Sequence, residues 1–589
     1  MKVKLSGSRR SRRLVLAFLS AAMMLCLSAC GEKKNVKEFQ DKANLLEQEA
    51  MADWVIEGLG EAPAGNTGYV VFFSVCDGTS RASVYSGTGK TPKQAWDDAA
   101  ANVEENLKEE ELSPAWVKVD LAYHSEALPG EELEKALRQS RRGFFRYGLA
   151  FDEEFNRAFL EEELNGAGIY DYESGGVNLE RMNLYLESQG REKLSGLPEE
   201  YIVFGCACWL CDEESAVHKL NVSGLSYGRR SVDSIDGAYA GELAEEAAGF
   251  LASQVKGDGS FVYGCYPRFD EEIKGDNFIS HSGALWSLIR AYRLAPKEEL
   301  AEKIELALAF MLEQIGYDKD GRAFVYEEKN NEIKLGGGAL ALIVLTEYMD
   351  VFQNTDYVED CRALGGGLIS MMDRKTGRFV HVLNGDLTLK EEFRTAYYDG
   401  EAAFALARLY GLTGEQIWLD AAQLSVDYMI AEKDGRYANH WTAYTMNEIT
   451  RYVTENSGYY SFALENVQKN LEEIYERETT DPYCLETLMV AFELYDRIVS
   501  GGNSVEGFQI QTLLATIYAR AERQLDGQFY PEYAMYMKNP QKVLWAFMVR
   551  DEDFCIRIDN LQHNICGFSL YAENYEKMLT YVSGTGKRG

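Results

Sequence analysis

Five times in its second half the chain writes a helical pattern, a glycine turn with an aromatic just after it, and then an apolar helical pattern. The turns are Asp258-Gly259-Ser260-Phe261, Asp320-Gly321-Arg322-Ala323-Phe324, Thr376-Gly377-Arg378-Phe379, Asp434-Gly435-Arg436-Tyr437 and Asp526-Gly527-Gln528-Phe529. The glycines at 259, 321, 377 and 435 stand 62, 56 and 58 residues apart. The next gap, 92, is long enough to hold a degenerate turn at Thr480-Asp481-Pro482-Tyr483. Repeats of this length signal units that bury their apolar faces only against one another. Six two-helix units can close into a ring whose inner helices surround one cavity, and function is expected there.

The 589 residues exceed one core, so two or three domains are expected. With 46% apolar residues and 36 Tyr, the composition is globular. The N-terminus reads as a targeting segment over 1–29. Lys2, Lys4, Arg9, Arg10, Arg12 and Arg13 are basic, and Leu14 to Leu27 is apolar but short for a membrane span. Leu27-Ser28-Ala29-Cys30 resembles a bacterial lipobox. That resemblance implies cleavage before Cys30, a lipid on its sulfur, and attachment to the outer side of a cell membrane. No later segment is expected to span. Residues 30–65 read as a short polar helix and a tether.

The formal net charge is −34, and losing the six cations of residues 1–29 leaves about −40. Such a charge argues against nucleic acid as a partner. The cysteines beyond Cys30 are odd in number and irregular in spacing, which does not describe a disulfide framework.

Residues 66–236 read as an α/β or α+β domain with a linker. Tyr69 to Val75, Trp116 to Leu121, Phe144 to Phe151 and Tyr201 to Trp209 have strand patterns. Pro92 to Leu107, Glu131 to Arg138 and Glu153 to Leu164 have helical ones. Residues 237–585 hold the hairpins. Their inner helices are rich in small residues, as in Gly336-Gly337-Gly338-Ala339-Leu340 and Gly400-Glu401-Ala402-Ala403-Phe404-Ala405-Leu406-Ala407-Arg408-Leu409-Tyr410-Gly411-Leu412-Thr413-Gly414. This spelling resembles the six-hairpin (α/α)6 toroid enzymes, among them glycoside hydrolases, uronate lyases and sugar epimerases. The resemblance covers about 60% of the chain at the level of fold.

Connections from outer to inner helices are long, and those from inner to outer are short. Long loops mark the functional end, where inner-helix N-termini expose N–H groups. Polar residues gather there: Asn277 and His281; Arg394, Tyr398, Asp399 and Glu401; Asn439, His440, Trp441, Tyr444 and Glu448; Arg557, Asp559, Asn560, Gln562 and His563. Three of the six histidines fall at this one position. Hydrolysis needs two carboxylates flanking a glycosidic bond, and Asp399 or Glu401 with Asp559 is the candidate pair. Epimerisation or elimination would use a His or Tyr to move a proton, with Arg394 or Arg557 clamping a uronate. Tyr398, Trp441 and Tyr444 would stack on sugar rings, and Asn277, Asn439, Asn560, Gln562 and Glu448 would bind hydroxyls. No cofactor is required, although the three histidines could take zinc. Gly87-Thr88-Gly89-Lys90-Thr91 lacks the full phosphate-loop spelling and reads as a turn. Cys206-x-Cys208-x-x-Cys211 lies in a strand pattern without a matching second ligand pair. The expected protein is a lipid-anchored, extracytoplasmic carbohydrate-active enzyme, hydrolase first and epimerase or lyase next. A non-catalytic polysaccharide-binding or export lipoprotein is the alternative.

Overall fold

The computed structural model describes residues 34–52, 68–108, 112–140, 145–232, 234–275, 277–432, 435–437, 439–550 and 554–582. The lipobox and most of the tether lie outside these residues, as does Asp434 of the fourth turn. The chain divides into two units. The first takes residues up to Ser231 together with Arg268–Asp270 and Tyr530–Leu544, and the second takes the rest. The two short segments had read as loops of the hairpin domain.

In the first unit, β1 (Tyr69–Cys76), β2 (Ser83–Gly89), β3 (Trp116–Pro129), β4 (Gly148–Ala150), β5 (Ala158–Phe159), β6 (Glu200–Cys211) and β7 (Val217–Lys219) form one antiparallel sheet. Its order is β2-β1-β3-β6-β4-β5, with β7 also on β6. All pairings are antiparallel, so the unit is α+β and not a parallel α/β fold. Strand alternation puts Val71, Phe73, Val75, Val117, Val119 and Trp209 on one face, under helix Pro92–Leu107. The helix at 34–52 covers the same face with Phe39, Ala43, Leu46 and Ala50, spaced four, three and four apart. It is therefore amphipathic and part of the core, where the sequence had suggested a polar lead-in. The pattern Glu153 to Leu164 had read as one helix. It divides instead into a turn, β5 and the short helix Glu161–Gly166. Gly87 and Gly89 pack under helix Pro92–Leu107, where a Cβ on Gly87 would stand 2.1 Å from the Ala99 nitrogen. Close packing, not phosphate binding, accounts for these glycines. Cys206 and Cys208 are buried, and Cys206 lies on the face of the sheet opposite Cys211, so the three do not converge.

The opposite face of β3 carries Lys118 and Asp120, both fully buried and paired with each other. Lys118 also binds Glu162 at 3.0 Å. Consecutive Glu161, Glu162 and Glu163 are all buried, and each has a donor of its own. Arg146 serves Glu161 at 2.8 Å, Lys118 serves Glu162, and the Tyr185 hydroxyl and the Leu160 N–H serve Glu163. Glu532 takes a fork of bonds from Arg230. Burial pushes Asp120 up to about 7 against the pull of Lys118.

The second unit contains twelve long helices among its described residues. These are α1 (Gly237–Ser253), α2 (Phe278–Leu294), α3 (Glu298–Glu313), α4 (Leu335–Phe352), α5 (Val358–Ser370), α6 (Tyr397–Thr413), α7 (Gln416–Glu432), α8 (His440–Ile449), α9 (Ser457–Glu476), α10 (Tyr483–Ser500), α11 (Ile510–Leu525) and α12 (Ile558–Val582). Even-numbered helices pack one on the next, and α12 returns to α2, which closes the inner ring. Odd-numbered helices lie outside it. This is an (α/α)6 toroid. The degenerate turn at 480–483 is real, since it links α9 to α10.

Two sequence features explain the ring. Gly259 has φ +85°, a conformation glycine adopts without strain. A Cβ there would also lie 2.1 Å from the Leu306 carbonyl of α3, so the turn seats on the next outer helix. Gly336 lets α4 approach α6, because a Cβ would stand 2.3 Å from the Glu401 carboxylate. Inner helix α4 is long and apolar enough to cross a membrane, contrary to expectation, but most of it is buried within the ring. The long loops at the inner-helix N-termini form small antiparallel sheets. One of them pairs Gly264 and Cys265 of the first hairpin with Arg557 and Ile556 of the last.

Candidate functional site

The ring axis is not the open cavity expected from sequence. Trp286, Phe404, Trp441 and Tyr444 fill it, with Trp286 stacked on Trp441 at 5.6 Å and Phe404 on Tyr444 at 5.4 Å. Deeper in, Glu347 is buried between Arg293 at 2.7 Å and Arg408 at 3.0 Å. Trp441 and Tyr444 are thus plug residues rather than open stacking platforms.

At the N-terminal end of this plug, three inner helices bring a polar cluster together. His440 opens α8, where Asn439 caps the helix by accepting the Thr442 N–H. Glu486 lies in the first turn of α10 and is fully buried. His563 lies in the second turn of α12 and keeps 18% of its side chain exposed. His563 Nδ1 and Glu486 Oε2 are 2.7 Å apart, and the Tyr444 hydroxyl donates to Glu486 Oε1 at 2.8 Å. The rings of His440 and His563 meet edge to face with centroids 4.8 Å apart. Burial pushes Glu486 up, but the His563 charge and hydrogen bond, with His440 and Tyr444, outweigh burial and hold its carboxyl below the usual range. Burial, helped by the His563 charge, pushes His440 down to about 3, so it is neutral near pH 7. Its Nε2 is buried with no hydrogen-bond partner.

A cavity of about 310 Å³ borders His440 between α8, α9 and α10. Tyr397, Tyr437, Asn439, Asn466, Arg477 and Tyr483 are among its lining residues. Tyr397 and Tyr483 keep exposed edges and stand 5.6 and 6.4 Å from the His440 ring. The arrangement offers a carboxylate-oriented imidazole, a second imidazole in its neutral form, and a pocket with aromatic and amide walls. Such a set suits proton transfer to or from a hydroxyl-rich ligand.

The other expected site residues are placed as follows. His281 is not in this cluster. Its ring lies toward the outer helix α3, against Phe261 and Phe310, with Nε2 3.0 Å from the Ala307 carbonyl. It borders a separate cavity of about 560 Å³, together with Asn277, the N-cap of α2. Asp399 and Glu401 are both buried in the first two turns of α6. Asp399 is held by His381 at 3.3 Å and Tyr437 at 3.4 Å. Glu401 faces Gly336 and Tyr398. Burial, then the neighbouring Asp399, raises it to about 8, and its Oε2 has no partner. Tyr398 is covered, so it presents no open face. Arg394 gives its guanidinium to Glu332 at 2.9 and 3.0 Å and to Glu391, which removes it as a uronate clamp. Arg557 lies 3.5 Å from Asp559, and both are about a third exposed. Glu448 is at the far end of α8, bound to Tyr452 and Arg451. Gln562 lies against Gly283, and Asn560 Nδ2 is buried without a partner.

Sequence reading missed Glu486 and His381. Glu486 sits in an apolar helix behind the one turn without a glycine. His381 falls in the long loop before α6 and shows its role only through Asp399. Among the described residues, His440, Glu486 and His563 also form a group whose ligand atoms all lie within 4.8 Å of one another.

The chain matches no protein-family model and no curated protein. Among solved structures, it is similar to cellobiose 2-epimerase from Bacillus thermoamylovorans B4167. That match has 12% identity and a TM-score of 0.46, and covers 57% of this chain and 99% of that one. A family 76 glycoside hydrolase from a bovine Bacteroides thetaiotaomicron strain matches with 9% identity and TM-score 0.43, over 78% and 96% of the two chains. A D-mannose isomerase matches with 10% identity and TM-score 0.42, over 56% and 97%. Likeness at these values sets no activity for this chain.

Proposed function

We propose that the second unit is a carbohydrate-active enzyme that moves a proton on a sugar held in the cavity beside His440. The observation that carries this reading is the Glu486–His563 pair at the mouth of a closed ring, next to a neutral imidazole and a tyrosine- and amide-lined pocket. A buried carboxylate fixes the orientation and tautomer of the imidazole. Tyrosine edges and amides suit a ligand with apolar ring faces and many hydroxyls. Epimerisation or isomerisation of a sugar needs only such proton transfer, with no bond to a leaving group. The uronate reading is weaker because Arg394 is already paired.

Hydrolysis is the second reading, and Glu401 favours it. Its carboxyl, raised to about 8, stays protonated at neutral pH as a general acid must. The covered position of Glu401 and Asp399 opposes it.

Sugars incubated with the protein in D₂O separate these readings. Deuterium entering a carbon-bound position, lost in His563→Ala, supports proton transfer; new reducing ends, lost in Glu401→Gln, support hydrolysis. Glycan binding with neither reaction would leave a binding protein and overturn the enzyme reading. We further propose attachment to the outer side of a bacterial membrane through lipid on Cys30. Cys30→Ser should move the protein from the membrane fraction to the soluble one, and unchanged fractionation would refute the anchor.

A further inference from the structure

We propose that His440, Glu486 and His563 bind one divalent transition-metal ion of the zinc class. Their ligand atoms lie within 4.8 Å of one another, and two imidazoles with a carboxylate are a donor set such ions accept. Tetrahedral zinc with bonds near 2.1 Å wants donors about 3.4 Å apart, so the wider separations must close and the His563–Glu486 pair must open from 2.7 Å. The ion would take the place now bridged by the contact between His563 Nδ1 and Glu486 Oε2.

Three observations favour an ion over a hydrogen-bonded trio. First, His440 Nε2 is buried without a partner, and buried polar atoms in folded proteins nearly always have one. A metal completes it. Second, Glu486 Oε1 is already held by the Tyr444 hydroxyl, the outer partner that orients a ligating carboxylate. Third, the donors come from α8, α10 and α12, successive members of the closed inner ring, so rigid helices rather than a loop set their spacing.

The part-exposed His563 gives a route for entry, and three protein ligands leave one position open. An ion there supplies a Lewis acid beside the bound sugar. That use rests on the sugar-active reading; the binding does not.

The test is titration of the chelator-treated full chain, in detergent, with Co²⁺ and Zn²⁺. One equivalent should bind, Co²⁺ should show the visible absorption of a four- or five-coordinate site, and zinc should displace it. Trp441, whose ring is 5.0 Å from His440, should report binding by fluorescence. His440→Ala and His563→Ala should each weaken binding at least tenfold, while the exposed His124→Ala leaves it unchanged. His563→Asn keeps a hydrogen-bond donor for Glu486 and should stay folded, so it remains informative if an alanine variant does not fold. Failure of the folded wild type to bind a stoichiometric ion at micromolar concentration would overturn the proposal, as would binding that survives His563→Ala. Metal content is read independently of turnover, so this result and the sugar assays can fail separately.

Discussion

Both units bury clusters of charged or ionisable groups, and the two are built for different ends. In the first unit, Lys118 faces Asp120 and Glu162, Arg146 faces Glu161, and Arg230 faces Glu532. Every one of these acids meets a cation within the unit. In the second unit, Glu486 has His563 and Tyr444, but His440 keeps an unused nitrogen beside a cavity, and His563 is partly open to solvent. Burial of charge is common to both, so burial does not distinguish them. Access does, because His563 is partly open to solvent while Lys118, Asp120 and Glu162 are sealed. The sealed cluster specifies how helix Glu161–Gly166 and β3 pack, whereas the open one is left incomplete for a ligand.

The largest expected effect falls on the open cluster. His563→Ala should cut turnover by about 10²–10⁴-fold, the usual share of a general acid–base group, and His563→Asn should do the same with a smaller loss of melting temperature because it keeps a donor for Glu486. A similar loss of stability instead would make the two clusters alike. Lys118→Met should act the opposite way. It leaves Asp120 and Glu162 buried without their cation and should cost roughly 3–5 kcal/mol in denaturant unfolding. A cost under about 1 kcal/mol would show that water reaches the sealed cluster.

Two pH experiments sharpen the contrast. Glu401 titrates near 8 in the folded protein against 4.5 unfolded, so the folded state holds the extra proton between these values. Stability therefore falls as pH rises through that window. Glu401→Gln should be more stable than wild type at pH 9 by roughly 2–4 kcal/mol and similar at pH 4.5. Equal unfolding curves at pH 9 would place this carboxyl in solvent. His440 has the reverse sign, about 3 folded against 6.5 unfolded, so stability falls as pH drops through that window. Between pH 7 and pH 4, His440→Asn should lose about 1–3 kcal/mol less stability than wild type. A wild type equally stable at pH 4 and 7 would contradict the buried, neutral imidazole.

The toroid was legible because its punctuation is local. Gly259, Gly321 and Gly377 have positive φ at turns that recur at near-constant spacing. Small residues such as Gly336 mark where inner helices touch. His440 and His563 were legible because they stand at helix starts. His281 stands at such a start too, yet its ring turns to α3, since only the angle around the helix decides inner from outer. Glu486 was hidden because an acidic residue near the start of a mostly apolar helix gives no periodic signal, and its partners lie 42 and 77 residues away. The paired acids of the first unit were hidden for the same reason. Glu161, Glu162 and Glu163 look like a solvated stretch until Arg146 and Lys118 are placed against them. The helix at 34–52 was misjudged because its buried stripe is only four residues wide in sequence terms and its polar residues dominate by number.

The first hairpin meets the last, through Gly264 beside Arg557 and through α2 beside α12. During synthesis, therefore, the circle stays open until nearly the whole toroid has left the ribosome, and His563 joins its partners at the final step. A nascent or clipped chain ending before α12 would carry two raw flanks and no assembled centre. Competence and completeness of the polypeptide thus arrive together.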